Sequence, residues 1–459
     1  MNSNKHLTAL RRGPAAGAIG LAALACGFAL APVAAAAADA TLTGWANLPA
    51  STFAPGPTSG QFITPNNGIT PPFVDKQPVQ GFSAVLNGPV AGSYYVMPDN
   101  GFGTKANSAD AMLRMYAVSP DFKTATGGTG TVSAVDYTSG AKQAGFNTST
   151  YISLRDPNQL LGFPIVASMT HYPGSNIAVD ASVKSGRLLT GADFDIESVR
   201  KDKAGNLWFG EEFGPYLVKA DSTGKILRSE IALPGVKGPD NPTLGGGTAN
   251  LNRSNGFEGM ALNKSGDKLY TLLEGTVAGD AAKSLRINEF DLASESFTST
   301  VFKYQLDARG TNIGDMTAID DHNFLVIERD GSSGNPDGFK KIFKIDTAHL
   351  DANGFATKTE VVDLMKLADP NDLNGDGKTT FNFPYVTIED VLILDAHTLL
   401  VINDNNYPGG GGRGAFADSS EFLRISLAAP IPEPETYALM LAGLVAVGGM
   451  ARRKTQRRG

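Results

Sequence analysis

The chain has 459 residues, 42% of them apolar and 19% charged, which gives enough apolar mass for a full core and excludes a disordered polyelectrolyte. Its formal net charge of −7 argues against nucleic acid as a partner. The one cysteine, Cys26, rules out an internal disulfide and any multi-cysteine metal site.

In chain order, residues 1–40 read as a signal peptide. Lys5, Arg11 and Arg12 form a basic start, an Ala/Gly/Leu run follows, and Ala38-Asp39-Ala40 suits cleavage before Thr41. Cys26 lies in this segment, so the exported part has no thiol nucleophile. The two ends hold eight Lys/Arg and three Asp/Glu. Residues 41–430 therefore keep 31 basic and 43 acidic side chains, a net charge of −12 that favours cations. Residues 41–80, rich in Pro, Gly, Ser and Thr, are expected as an N-terminal extended segment wrapping the domain edge.

Residues 81–430 repeat one pattern. An acid opens a short apolar strand, polar residues turn, and a second apolar strand closes on an acid. The copies run from Glu197 to Glu211-Glu212, from Glu258 to Glu274, from Asp315 to Glu328, and from Glu389-Asp390 to Asp404. A looser copy runs from Gly81 to Asp99. The opening acids lie 61, 57 and 74 residues apart, a period that suits propeller blades with loops. A third strand follows each copy, as in Tyr216–Asp221 and Lys341–Asp346. Four strands to a blade, five recognisable copies and the unassigned stretch Thr131–Leu189 predict an all-β fold, a β-propeller of about six four-stranded blades. Pairing of the chain ends would close the ring and protect its edges.

No Gly-x-Ser-x-Gly elbow occurs, no Gly-rich phosphate loop opens a helix, and His171, His322, His349 and His397 show no metal spacing. Nothing calls for an organic cofactor. The acids remain. Crowded at one mouth they would repel unless a cation lay between them, and Ca2+ accepts such oxygen-rich, irregular sites. Glu258, Glu274, Asp315, Glu328, Glu389 and Asp404 are the candidate ligands; Glu211, Glu212 and Glu197 are the candidates for activating water. For any one acid, capping a turn is the alternative. Arg200, Arg329 and Arg413 lie near the repeat strands and suit an anionic substrate, or ion pairs within the acid ring. The run Asp372-Leu-Asn374-Gly-Asp376-Gly377 has the first-half spacing of a calcium loop, to be completed by a distant acid such as Glu389 or Asp390; an Asx/Gly turn is the alternative.

The C-terminal segment 431–459 carries Pro432-Glu433-Pro434, an apolar run Tyr437–Met450 too short for an easy membrane span, and the basic residues Arg452, Arg453, Lys454, Arg457 and Arg458. Those three ordered parts resemble the PEP-CTERM sorting signal of Gram-negative bacteria, which implies an exosortase-type processing enzyme as a partner and a place at the cell surface or outside the cell. Phe194-Asp-Ile-Glu197, Leu207-Trp-Phe-Gly-Glu211-Glu212-Phe-Gly-Pro215, Asn255-Gly-Phe-Glu258 and Val401-Ile-Asn-Asp404-Asn-Asn-Tyr-Pro408 resemble the phytase-like, "esterase-like activity of phytase" family of secreted bacterial proteins. That resemblance implies a β-propeller and hydrolysis of phosphate or carboxylic esters, with Ca2+ held by the acids named above.

Two other readings stay open at this point. One is a non-catalytic, calcium-stabilised propeller that binds an extracellular polymer. The other is a lactonase-like propeller with a single metal in its channel.

Overall fold

The computed structural model describes residues 40–431. The basic start, Cys26, the Pro-Glu-Pro motif and the apolar tail lie outside the described residues. Within them the chain is an all-β propeller. Three of its blades are separate antiparallel four-stranded sheets, and the first and last blades belong to one 11-stranded sheet, joined where Asn47 pairs in parallel with Thr131. Blade 1 holds Phe82–Asn87, Tyr94–Pro98, Arg114–Asp121 and Thr131–Ala134. Blade 2 holds Ile196–Lys201, Leu207–Glu211, Tyr216–Ala220 and Ile231–Ala232. Blade 3 holds Phe257–Leu262, Lys268–Leu273, Ser284–Asp291 and Ser296–Gln305. Blade 4 holds Asn312–Ala318, Asn323–Arg329, Lys340–Leu350 and Ala356–Asp363. Blade 5 takes Asp390–Asp395, Thr398–Ile402 and Ser420–Ser426, and Thr41–Leu48 completes it.

The first strand of the chain thus closes its last blade, pairing Thr41 with Ser426 through to Leu48 with Ser420. Part of the expected extended segment is therefore a blade strand, and Phe53–Pro55 and Lys76–Pro78 form a small sheet of their own. The inner strands stand side by side from blade 1 to blade 5, and blade 5 returns to blade 1. That closed circuit leaves no place for the expected sixth blade. The stretch Thr131–Leu189 instead gives blade 1 its fourth strand and the edge strand Tyr151–Ser153. It then forms a 3-10 turn at Val166–Ser168 and a short helix at Ala181–Gly186. Leu154, Ile165, Tyr172 and Val183 from this stretch pack with Met97, Met115, Phe194 and Val199 as a wedge between blades 1 and 2.

Blades buried on both faces need apolar residues on both sides of each strand, so clean alternation is lost and runs such as Phe324-Leu-Val-Ile327 are wholly buried. Each gap between blades has its own core. Trp208, Phe257 and Phe290 fill the gap of blades 2 and 3; Leu272, Met316 and Phe324 that of blades 3 and 4; Leu325, Val391 and Leu423 that of blades 4 and 5. Phe82, Val96, Leu400 and Phe422 close the ring between blades 5 and 1.

Candidate metal centre

The acid that opens each repeat sits where the inner strand is irregular. In blade 2, Gly210 pairs with Ser198 and Glu211 with Ile196, so Glu197 is skipped. In blade 3, Phe257 pairs with Leu273 and Gly259 with Leu272, which skips Glu258. Blade 4 skips Gly314 and Asp315, and blade 1 skips Ser83 at the matching place. A bulge frees one residue from the ladder and re-aims its side chain. Here it turns the opening residue toward the ring axis. Glu389 directly precedes the blade 5 inner strand. The second strands end at the same mouth, on or before Asp99, Glu212, Glu274, Arg329 and Asp404.

Two groups of carboxylates meet there, Asp99 with Asp195 and Glu197, and Glu197 with Glu212 and Glu258; within each, the potential ligand atoms lie within 4.8 Å of one another. Glu197 belongs to both. Beside them Arg329 Nη2 lies 3.4 Å from Glu258, 3.0 Å from Glu274 and 3.0 Å from Glu389. The Ser83 hydroxyl donates to Glu389 at 3.1 Å. Asp404 accepts from the Asn406 amide at 2.7 Å and the Thr387 hydroxyl at 3.2 Å. Glu212 accepts from the Gly256 amide at 2.9 Å; a Cβ on Gly256 would lie 2.4 Å from Glu212 Cα, so this approach needs glycine.

The electrostatics follow from eight acids around one guanidinium, seven of them buried and Asp99 half-buried. Burial lifts Asp195 and Asp404 to about 6. Burial and then Asp404 lift Glu389 to about 8. Asp99, Glu197, Glu212 and Glu258 are pushed well above the usual carboxylate range, first by burial and then by their acidic neighbours. Burial opposes the Arg329 charge, but Glu274, Glu389 and Glu258 outweigh it and hold the guanidinium protonated. A divalent cation would relieve the repulsion. The donor set fits one: both groups offer carboxylate oxygens alone, which suits Ca2+ or Mg2+ over softer metals, and Asp195 Oδ1 is buried with no hydrogen-bond partner.

The other candidates stand elsewhere. Glu211 belongs to neither group and accepts from the amides of Phe213 at 2.9 Å and Gly214 at 2.7 Å, so it fastens the loop behind Glu212. Burial raises it to about 8. Asp315 joins neither group; Arg200 reaches it across the ring at 2.9 Å and also donates to the Met316 carbonyl at 2.8 Å. Arg200 is thus a buried brace and not a free substrate-binding group. Glu328 bonds the Tyr304 hydroxyl, the Asp307 amide at 2.6 Å and Lys358 at 2.6 Å, inside the blade. Its neighbour Arg329 takes the mouth position instead.

Arg413 forms a two-pronged pair with Glu421, 2.9 Å at each prong, on the rim of blade 5. The Asp372 carboxylate accepts from the Gly377 amide at 3.0 and 3.1 Å, Asn374 from Asp376 N at 3.3 Å, and Asp376 from the Lys378 amide at 3.0 Å, which is a self-closed Asx turn. Glu389, held by Arg329 and Ser83, does not complete it. Asp195 escaped the sequence reading; its signal is the Asp-x-Glu spacing two residues before Glu197.

A family profile described as "Phytase-like: Esterase-like activity of phytase" matches residues 77–407, and the PEP-CTERM protein-sorting motif matches residues 430–458. The latter is a signal for exosortase-mediated processing and implies export with sorting at the membrane or surface. An "uncharacterized secreted protein" of Arthroderma benhamiae is 23% identical over 211 residues, 38% of this chain. The match spans 40% of that relative's length. Among solved structures, the calcium-binding protein regucalcin from Agrobacterium tumefaciens is 10% identical over 84% of this chain and 99% of its own, with a TM-score of 0.33. The PQQ-bound aldose sugar dehydrogenase of Streptomyces coelicolor is 10% identical over 85% and 99%, with a TM-score of 0.33. The propeller assignment rests on the ring order of the inner strands.

Proposed function

The chain belongs to the phytase-like family, and from that premise we propose that it is an exported, divalent-cation-dependent hydrolase of phosphate or carboxylic esters acting at the carboxylate mouth of its propeller. The observation that carries this reading is the pair of carboxylate groups sharing Glu197. Asp99, Asp195 and Glu197 would hold one cation, and Glu197, Glu212 and Glu258 a second; Ca2+ is the ion this oxygen-only set favours. When bound, the cations supply charge that neutralises an anionic substrate and polarises the ester.

The chain's own residues do the rest. Arg329 sets the orientation of Glu258, Glu274 and Glu389 and reduces their repulsion. Glu211 fixes the turn that carries Glu212. Asp404 is the carboxylate best placed to take a proton from an attacking water. It has no cationic partner within ion-pair reach among the described residues, and its Oδ1 faces Asp99 Oδ1 across Gly81, where an added Cβ would lie 3.4 and 3.0 Å from the two oxygens.

The test is hydrolysis of p-nitrophenyl phosphate and p-nitrophenyl acetate by the exported chain, before and after chelation and with Ca2+ restored. Activity that chelation abolishes and Ca2+ restores is expected. Activity indifferent to chelation, or none on either ester from a folded, Ca2+-loaded sample, would overturn the reading.

A further inference from the structure

The three arginines that the sequence offers to an anionic substrate are committed elsewhere. Arg200 is bound to Asp315, Arg413 to Glu421, and Arg329 already faces three carboxylates. Beyond the cations proposed above, a phosphate ester entering a mouth of eight acids would gain from a protein cation at its edge.

The loop that leaves blade 1 at Asp99 provides it. Asn100 ties the base of this loop by accepting from the amides of Phe102 at 3.2 Å and Gly103 at 2.9 Å and from the Ser108 hydroxyl at 2.9 Å. Lys105 lies at its tip, partly exposed. Its ammonium donates to the carbonyl oxygen of Asp240 at 3.3 Å and stands 4.8 Å from the ring centre of Phe213, the residue after Glu212. The Asp240 carboxylate is itself paired with Arg253. Lys105 thus spans from the loop of Asp99 to the neighbour of Glu212, with one long hydrogen bond, no carboxylate partner among the described residues, and N–H donors to spare.

We infer that Lys105 is a substrate-binding residue that takes a phosphate oxygen at the edge of the mouth, between Asp99 and Glu212. The inference rests on the ester-hydrolase reading above. Such a contact would favour an anionic ester over a neutral one.

The experiment uses the full exported chain loaded with Ca2+, as wild type, Lys105→Gln and Lys105→Arg. Inorganic phosphate is titrated calorimetrically into each, and kcat/KM is measured on p-nitrophenyl phosphate and p-nitrophenyl acetate. Loss of one charge-assisted bond predicts that Lys105→Gln weakens phosphate binding about tenfold and lowers the phosphate-to-acetate ratio of kcat/KM by a similar factor. Lys105→Arg should recover most of both. Melting curves of the variants separate a folding defect from lost binding. Wild-type phosphate affinity and an unchanged ratio in Lys105→Gln would overturn the assignment and leave the hydrolase standing. A wild type that neither binds phosphate nor cleaves either ester would overturn the hydrolase reading, and the assignment with it.

Discussion

Glu197 is the residue on which the mouth turns, because both carboxylate groups need it. Glu197→Gln should lower divalent-cation affinity at least about tenfold, the cost of disturbing even an outer partner of a metal. The same change removes one of several crowded like charges, so the cation-free protein should melt higher than wild type. Thermal melting with and without chelator checks both signs; a cation-free variant that melts lower would contradict the repulsion argument. A second titration belongs to an acid outside both metal groups. Asp110 is buried, accepts from the Gln61 amide at 2.8 Å, and is raised by burial to about 6. The folded protein therefore keeps a proton that the unfolded chain gives up near its ordinary value of about 4. Stability from this group is highest below about pH 4, falls as pH rises toward 6, and stays lower above it. Asp110→Asn should flatten that part of the profile; equal slopes for wild type and variant between pH 4 and 6 would contradict the assignment.

At the scale of elements, the first strand of the chain acts as the clasp of the ring. Leu42 is fully buried in the core of blades 4 and 5, whereas Thr43, one residue on, is exposed. Leu42→Ala should cost about 2–5 kcal/mol and Thr43→Ala within about 0.5 kcal/mol, read as the shift in denaturant midpoint. Similar losses at both sites would mean that the strand is not docked as described. The strands themselves were legible because acid, apolar run and turn recur in order. Their register was not. The opening acids Glu197, Glu258 and Asp315 are legible, but nothing in the sequence says that a bulge leaves them out of the ladder, and one position decides which face a side chain takes. That is why Arg329 and not Glu328 reaches the mouth, and why Glu212 and not Glu211 meets Glu258. Ser83 went unseen because blade 1 has a hydroxyl where other blades have an acid.

For the whole molecule, the repeat announces a propeller, but the number of blades depends on whether a stretch of weak strands builds a sheet. Residues 131–189 had the length for a blade; their Pro, Gly and polar residues leave too few paired strands, and the segment fills the gap between blades 1 and 2. Ring closure then brings together acids separated by about 300 residues, from Asp99 to Asp404, into a mouth that local sequence does not reveal. The proposed divalent cation belongs at this mouth and not in the Asp372 turn. Calorimetric titration of Ca2+ into the metal-stripped exported chain, as wild type, Glu197→Gln and Asp376→Asn, distinguishes the two places. Binding in wild type and Asp376→Asn that is lost in Glu197→Gln is the predicted result; binding that survives Glu197→Gln and vanishes in Asp376→Asn would contradict it.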